Sequence, residues 1–154
     1  MLTKANKVRI VLKKINQSEH SLSIIRDGAV DDQVVLHTET YFLHDIVHYC
    51  VESELRLTDG FCGLVAQGYK MAELGGKENE LTDTLREVEK VVGPVQAVYS
   101  GYMSREMFAE NLNLAILPNI SAEFIDDVLG AIEVIMQKWK YLPIGEPMEL
   151  EFNL

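Results

Sequence analysis

The chain is poor in cysteine, in long apolar segments and in positive charge, and each shortage excludes a class of protein. Its two cysteines, Cys50 and Cys62, are too few for the dense disulfide frameworks of small secreted domains. No stretch approaches the roughly 18 apolar residues of a transmembrane helix, and the first residues lack the apolar core of a secretory signal. We therefore expect a cytoplasmic protein with free thiols, although the sequence leaves one disulfide open.

Positive charge is the third shortage. Lys and Arg number 14 against 24 Asp and Glu, which gives a formal net charge of −10 at pH 7. A field of this sign repels phosphate backbones and anionic lipid headgroups. Nucleic acids and membrane surfaces are therefore not expected partners, whereas a homo-oligomer and a small-molecule ligand stay open.

The length and composition indicate one folded domain. The chain has 154 residues, of which 47% are hydrophobic and 25% charged, as in ordinary globular domains. There is no internal repeat, low-complexity tract or composition break. We predict a single α+β domain over residues 1–154.

Alternation of apolar and polar residues predicts strands at both ends of the chain. Segments 8–15, 22–26 and 33–39 form an N-terminal antiparallel meander of three strands, and segment 148–154 has the cleanest two-residue period. We predict that the C-terminal strand joins the same sheet.

The region between the strands is helix-like and predicts four or five helices packed against the sheet. They cover 42–57, 61–74, a segment from near 80 to Gly93-Pro94, a short piece capped by Ser104, and 121–139. Pro94 lacks a backbone N–H and is predicted to end or kink the third helix.

The chemistry is concentrated in the first helix, in the sequence LHDIVHYCVE of residues 43–52. On a helix that advances about 100° per residue, His44, Asp45, His48 and Glu52 fall within about 100° of one another. Apolar residues occupy the opposite arc, so this ionisable edge lies beside the buried stripe.

Histidines four residues apart on a helix have Cβ atoms roughly 5–6 Å apart and can bind one divalent ion. We predict that His44 and His48 bind zinc or another divalent metal. In the His-Glu-x-x-His motif of metalloproteases the acid is the general base, and Asp45 occupies its position with a shorter side chain. Asp45 is therefore the predicted catalytic residue of a hydrolytic reaction.

Two imidazoles do not complete a metal site, because catalytic zinc sites have about three protein ligands and structural sites four. The remaining ligand or ligands would come from Glu52, from His37 or from an acid on a distant helix. We take Glu52 as the third ligand or as a carboxylate that supports the histidines, although it lies two turns beyond His44.

The alternative is a non-catalytic interaction or oligomer-forming module in which the histidine pair is structural. Histidines on helix edges often hydrogen-bond to nearby carboxylates or backbone groups, and an Asp near a helix start is favourable through capping and the helix dipole. The metal content of the purified protein distinguishes the two hypotheses.

A resemblance adds to the fold prediction. The helix motif at 43–52, together with GFCG at 60–63, VVGP at 91–94 and GEPMEL at 145–150, resembles a family of small bacterial proteins without an assigned activity. The resemblance implies a bacterial cytosolic α+β protein. That family has an aromatic residue at the position of Cys62, which argues against a nucleophilic role for this thiol.

A weaker likeness links the His-Asp-x-x-His stretch to the scaffold proteins of ubiquinone biosynthesis. Those proteins have a glutamate twelve residues after the second histidine, and this chain has Gly60 there. The likeness is confined to the pentapeptide, so no role is transferred from it.

Overall fold

The computed structural model describes residues 7–74, 83–112, 117 and 120–154 and has the predicted α+β architecture. Its strands are β1 Lys7–Lys14, β2 Glu19–Arg26, β3 Ala29–His37 and β4 Pro147–Asn153. Its α-helices are α1 Thr38–Leu55, α2 Phe61–Gln67, α3 Asp83–Tyr99, α4 Arg105–Asn111 and α5 Ala122–Tyr141. A short 3₁₀ turn at Met71–Leu74 follows α2.

The four strands form one antiparallel sheet with the order β3-β2-β1-β4. The meander and the return of the C-terminal strand are thus confirmed. Apolar side chains at alternate positions of β1 face the helices, and Val8 lies opposite Phe152 on β4. On the other face, exposed ion pairs such as Lys7 with Glu151 line the sheet. The period-two pattern therefore sets which face is buried.

Helix α1 is the centre of the helical layer. It packs against α3 and α5, while α2 packs against β1 and β4. The apolar residues of α5 that recur every three or four positions form a buried stripe: Phe124, Val128, Ile132, Ile135 and Trp139. Among the described helices, none is long and apolar enough to cross a bilayer.

Serine caps fix two helix starts as the sequence predicts. The side-chain oxygen of Ser104 accepts a hydrogen bond from the N–H of Met107, and that of Ser121 accepts one from Phe124. Each serine satisfies a backbone donor that the first helical turn leaves free.

The first helix begins at Thr38 rather than at residue 42, and the ends of the second and third helices also differ from prediction. The second helix ends at Gln67 rather than near residue 74, because Gly68 adopts a left-handed conformation (φ +117°) and donates its N–H back to the helix. The third helix continues through Pro94 to Tyr99, so the predicted end at this proline is wrong, while the kink given as its alternative stays a prediction. Val92 and Val95 on either side of Pro94 are completely buried, and their packing outweighs the missing backbone hydrogen bond.

The predicted start of the third helix near residue 80, and the glycine pair before it, lie outside the described residues.

Candidate metal centre

The two histidines of α1 lie one turn apart, and their rings face a shared point. Their ring centroids are 4.9 Å apart with an interplanar angle of 72°. His48 is nearly buried, with 6% of its side chain exposed, whereas His44 is 38% exposed. One imidazole is thus fixed by packing and the other can be reached from solvent.

The third member of the cluster is Glu89, which α3 brings against α1. Its carboxylate oxygens lie 2.8 Å from Nε2 of His48 and 3.8 Å from Nε2 of His44. Ligand atoms of His44, His48 and Glu89 all lie within 4.8 Å of one another, which makes the three residues a group that could hold a metal ion.

The ligand atoms must move closer together to receive zinc. In a tetrahedral site, bonds of about 2.0–2.2 Å place two ligand atoms about 3.3–3.6 Å apart, which is less than the 4.8 Å within which the three ligand atoms of the cluster lie. Both His44 and Glu89 are more than one third exposed, so rotation of either side chain can close the difference. Three protein ligands with one side open to solvent match the pattern of catalytic zinc sites.

Glu52 lies behind His48 rather than in this cluster. Its Oε2 accepts a hydrogen bond from Nδ1 of His48 at 3.1 Å, while its Oε1 accepts the backbone N–H of Cys62 at 2.9 Å. The side chain is completely buried. Glu52, predicted as the third ligand or as a support of the histidines, is therefore not a member of the metal-competent group, and the acid from α3 that lies against the histidines is Glu89.

The start of α2 is shaped around the Glu52 carboxylate. A Cβ atom on Gly60, the residue before α2, would lie 2.4 Å from Oε1 of Glu52. Only glycine leaves room for this approach, and the dipole of a helix N-terminus, with its N–H groups that have no partner within the helix, favours a negative charge there.

His37, the other residue considered as a ligand, is exposed and immediately precedes α1. It does not belong to the metal-competent group found among the described residues.

His48 is held between two carboxylates. Burial disfavours its positive charge, but hydrogen bonds to Glu52 and Glu89 outweigh burial and raise the pKa of His48 to about 9. The bond from His48 in turn lowers the pKa of Glu89. A metal ion must displace the proton on Nε2 of His48, while the bond to Glu52 keeps Nδ1 protonated.

Asp45 lies beside His48 but faces a different environment. Its Oδ2 is buried and has no hydrogen-bond partner among the residues that the structure describes. Burial raises the pKa of this carboxyl to about 6, against the opposing influence of the His48 charge. A group that titrates near neutrality is suited to general-base chemistry.

Because Oδ2 of Asp45 is buried and has no hydrogen-bond partner among the described residues, Asp45→Asn is expected to stabilise the protein in a pH-dependent way. Because the pKa is raised in the folded chain, Asp45 lowers the free energy of unfolding only when it is charged. This loss is absent below the ordinary pKa of 3.8 and grows as pH rises through about 6. The isosteric amide removes this loss, so the gain should reach about 2–3 kcal/mol at pH 8 and vanish near pH 4. Urea denaturation at both pH values measures it.

The matched control for this stability prediction is Asp127→Asn, which changes an exposed carboxylate on α5. It should leave the unfolding free energy within about 0.5 kcal/mol at either pH. An equal gain from Asp45→Asn at pH 4 and pH 8 would contradict burial of the charged carboxylate as the cause.

The two cysteines do not add a nucleophile. Both are buried free thiols, and Cys62 lies in the first turn of α2. Burial raises the pKa of Cys62 well above its ordinary value, and the nearby Glu52 charge adds to the effect. A thiol in this environment stays protonated and unreactive.

Sequence reasoning missed Glu89 and also Gln96, whose Oε1 lies 3.3 Å from Nδ1 of His44. Both residues lie on α3, seven positions apart and therefore on one face of the helix. By its sequence alone, the acidic segment around Glu89 has the pattern of a solvated helix face. In the sequence, Glu89 and Gln96 stand out only because they lie beside the apolar stripe of α3. Other polar residues of α3 share this position, so it does not identify these two as part of a site.

Comparison with protein-family models, curated proteins and solved structures finds no significant match to this chain.

Proposed function

We propose that this protein is a divalent metal-binding hydrolase, with zinc as the best-suited ion and His44, His48 and Glu89 as ligands. The observation that carries the proposal is the convergence of three ligand atoms from two helices within 4.8 Å. The hydrogen bond from His48 to Glu52 supports it, since metal-binding histidines usually donate their second nitrogen to a carboxylate or carbonyl group. Buried free thiols suit a cytoplasmic location.

In this proposal each residue has a separate task. Zinc supplies the Lewis acid that lowers the pKa of water and polarises a carbonyl or phosphoryl group. Glu52 keeps the proton of His48 on Nδ1, and Asp45 accepts a proton at its carboxylate. The exposed side of the cluster, formed by His44 and Glu89, admits the substrate.

Calorimetric titration of chelator-treated protein with zinc is the direct test of the metal site. Saturable binding tighter than millimolar is expected, and Glu89→Gln should weaken it at least tenfold, equivalent to about 1.4 kcal/mol. The double change His44→Ala plus His48→Ala should remove it. Glu110→Gln, an exposed carboxylate on α4, is the control and should bind like the parent.

Catalysis requires a second measurement. Zinc-loaded protein should hydrolyse p-nitrophenyl acetate or p-nitrophenyl phosphate in a chelator-sensitive reaction, and Asp45→Asn should lose turnover while it keeps zinc affinity. If zinc binds but neither probe is hydrolysed, the metal site still stands, whereas the proposed hydrolysis of these ester classes is contradicted.

One observation favours the structural alternative. His48 is already engaged by Glu52 and Glu89, so the histidine joins α1 to α3 without any metal. If His48 serves only to join the two helices, the parent will show no zinc binding tighter than millimolar. The His44→Ala plus His48→Ala protein will then be less stable than the parent.

A further inference from the structure

Each histidine of the proposed ligand group has a polar side chain at the ring nitrogen that does not face Glu89. For His48 this side chain is Glu52, at Nδ1. For His44 it is Gln96 on α3, whose Oε1 lies 3.3 Å from Nδ1 of the ring. The two imidazoles therefore have the same kind of support, one from a carboxylate and the other from an amide.

Gln96 reaches His44 because α3 stays helical beyond Pro94. Glu89 and Gln96 are seven positions apart, which is almost two whole turns, so both side chains lie on one side of the helix. Helix α3 packs against α1, and this side meets the two histidines. One surface of α3 thus supplies both the third ligand and the partner of His44.

The distances around His44 make Gln96 the group that decides which ring nitrogen carries the proton. A neutral imidazole has one N–H, and the hydrogen bond made by one nitrogen fixes the state of the other. Oε2 of Glu89 lies 3.8 Å from Nε2 of His44, which is too far for a hydrogen bond. The amide oxygen of Gln96 can only accept, so it favours the proton on Nδ1.

A proton on Nδ1 leaves the lone pair of Nε2 free, and Nε2 is the nitrogen of His44 that faces Glu89. A metal ion binds an imidazole through its unprotonated nitrogen. A neutral histidine ring in water carries its proton mainly on Nε2. Without an acceptor at Nδ1, the nitrogen needed for the metal would therefore be protonated in most molecules.

We propose that Gln96 is a positioning residue for His44: it accepts the Nδ1 proton, orients the ring and presents Nε2 to a divalent ion. This inference rests on the proposed metal-binding function. Loss of such a partner usually costs 10–100-fold in metal affinity. The side chain of His44 is 38% exposed, so water can partly replace the amide, and the effect should lie near tenfold.

The tautomer of His44 in chelator-treated protein is the first measurement, because it requires no metal. Two-bond ¹H–¹⁵N correlation spectra are recorded at about pH 8.5, at which an ordinary imidazole is neutral, and His44→Ala identifies the signals. The parent should carry the proton on Nδ1. Gln96→Leu removes the acceptor and should move the proton largely to Nε2, whereas Gln96→Glu keeps an acceptor and should retain it on Nδ1.

Calorimetric titration with zinc measures the consequence for binding. Gln96→Leu should weaken zinc binding about tenfold, and Gln96→Glu should bind zinc at least as tightly as the parent. Gln33→Leu makes the same chemical change at an exposed position on β3. This control should leave both the tautomer of His44 and the zinc affinity unchanged.

A proton on Nε2 of His44 in the parent would overturn the inference, because the amide of Gln96 would then donate rather than accept. Zinc affinity and a tautomer like those of the parent in Gln96→Leu would do the same, and a change in unfolding free energy alone would leave Gln96 only a packing contact between α1 and α3. If the parent binds no zinc, the proposed function fails and the positioning role with it, while the metal-free spectra still show whether Gln96 accepts the Nδ1 proton.

Discussion

Replacing Glu52 with alanine is expected to lower the free energy of unfolding by about 3–5 kcal/mol, the usual cost of removing one partner from a buried charge pair. The change leaves Nδ1 of His48 and the backbone N–H of Cys62 without their acceptor and creates a cavity at the start of α2. Urea denaturation at pH 7 measures the loss.

Glu54→Ala is the control for the Glu52 prediction, because Glu54 lies on the same helix and is exposed. It should change the unfolding free energy by less than about 0.5 kcal/mol. A similarly small effect of Glu52→Ala would show that the carboxylate does not hold the two helices together.

The isosteric change Glu52→Gln separates the structural contribution of this residue from its effect on His48. The amide oxygen can still accept from Cys62, but the amide nitrogen then faces Nδ1 of His48. That ring nitrogen must give up its proton to accept a hydrogen bond, so the proton of a neutral ring moves to Nε2, the nitrogen that faces Glu89. Zinc affinity should fall about 10–100-fold, and ¹⁵N NMR of the ring should show the altered tautomer. Unchanged affinity with Nδ1 still protonated would exclude this role.

The second large effect is a loss of stability of chelator-treated protein at alkaline pH. The pKa of His48 is about 9 in the folded chain against 6.5 ordinarily, so the native state holds a proton that the unfolded state releases. Its stabilising contribution is full below pH 6.5 and falls as pH rises through about 9. The expected decrease in unfolding free energy is roughly 3 kcal/mol, measured by urea denaturation from pH 6 to 10.

Variants at two histidines test the origin of this alkaline loss. His48→Gln should be less stable than the parent at pH 6 and should lack most of the decrease between pH 6.5 and 9. His37→Gln, at an exposed position, should keep the slope of the parent. If His48→Gln also keeps the slope of the parent, a group other than His48 causes the alkaline loss of stability. Saturating zinc should reduce the parent's loss, because the metal takes the place of the proton on Nε2.

The order of elements was predictable because the relevant interactions are local. Alternation in β1 and β4 sets which side chains face the core, and the spacing in α5 marks a buried stripe. Ser104 and Ser121 each accept a hydrogen bond from a backbone N–H in the first turn of the helix that follows. Two helix ends were not predicted correctly. The helix α3 continues through Pro94 because valines on both sides of the proline are buried in the core. The helix α2 ends early because Gly68 adopts a left-handed backbone conformation.

The sequence by itself determined that His44 and His48 project from one edge of a helix, because four residues complete about one turn. It could not determine which acid meets them. Only tertiary packing of α3 against α1 brings Glu89 to Nε2 of His48, and only the close approach of α2 at Gly60 places Glu52 behind Nδ1. Helical periodicity is set by local backbone geometry, whereas the contacts of an imidazole ring depend on residues distant in the chain.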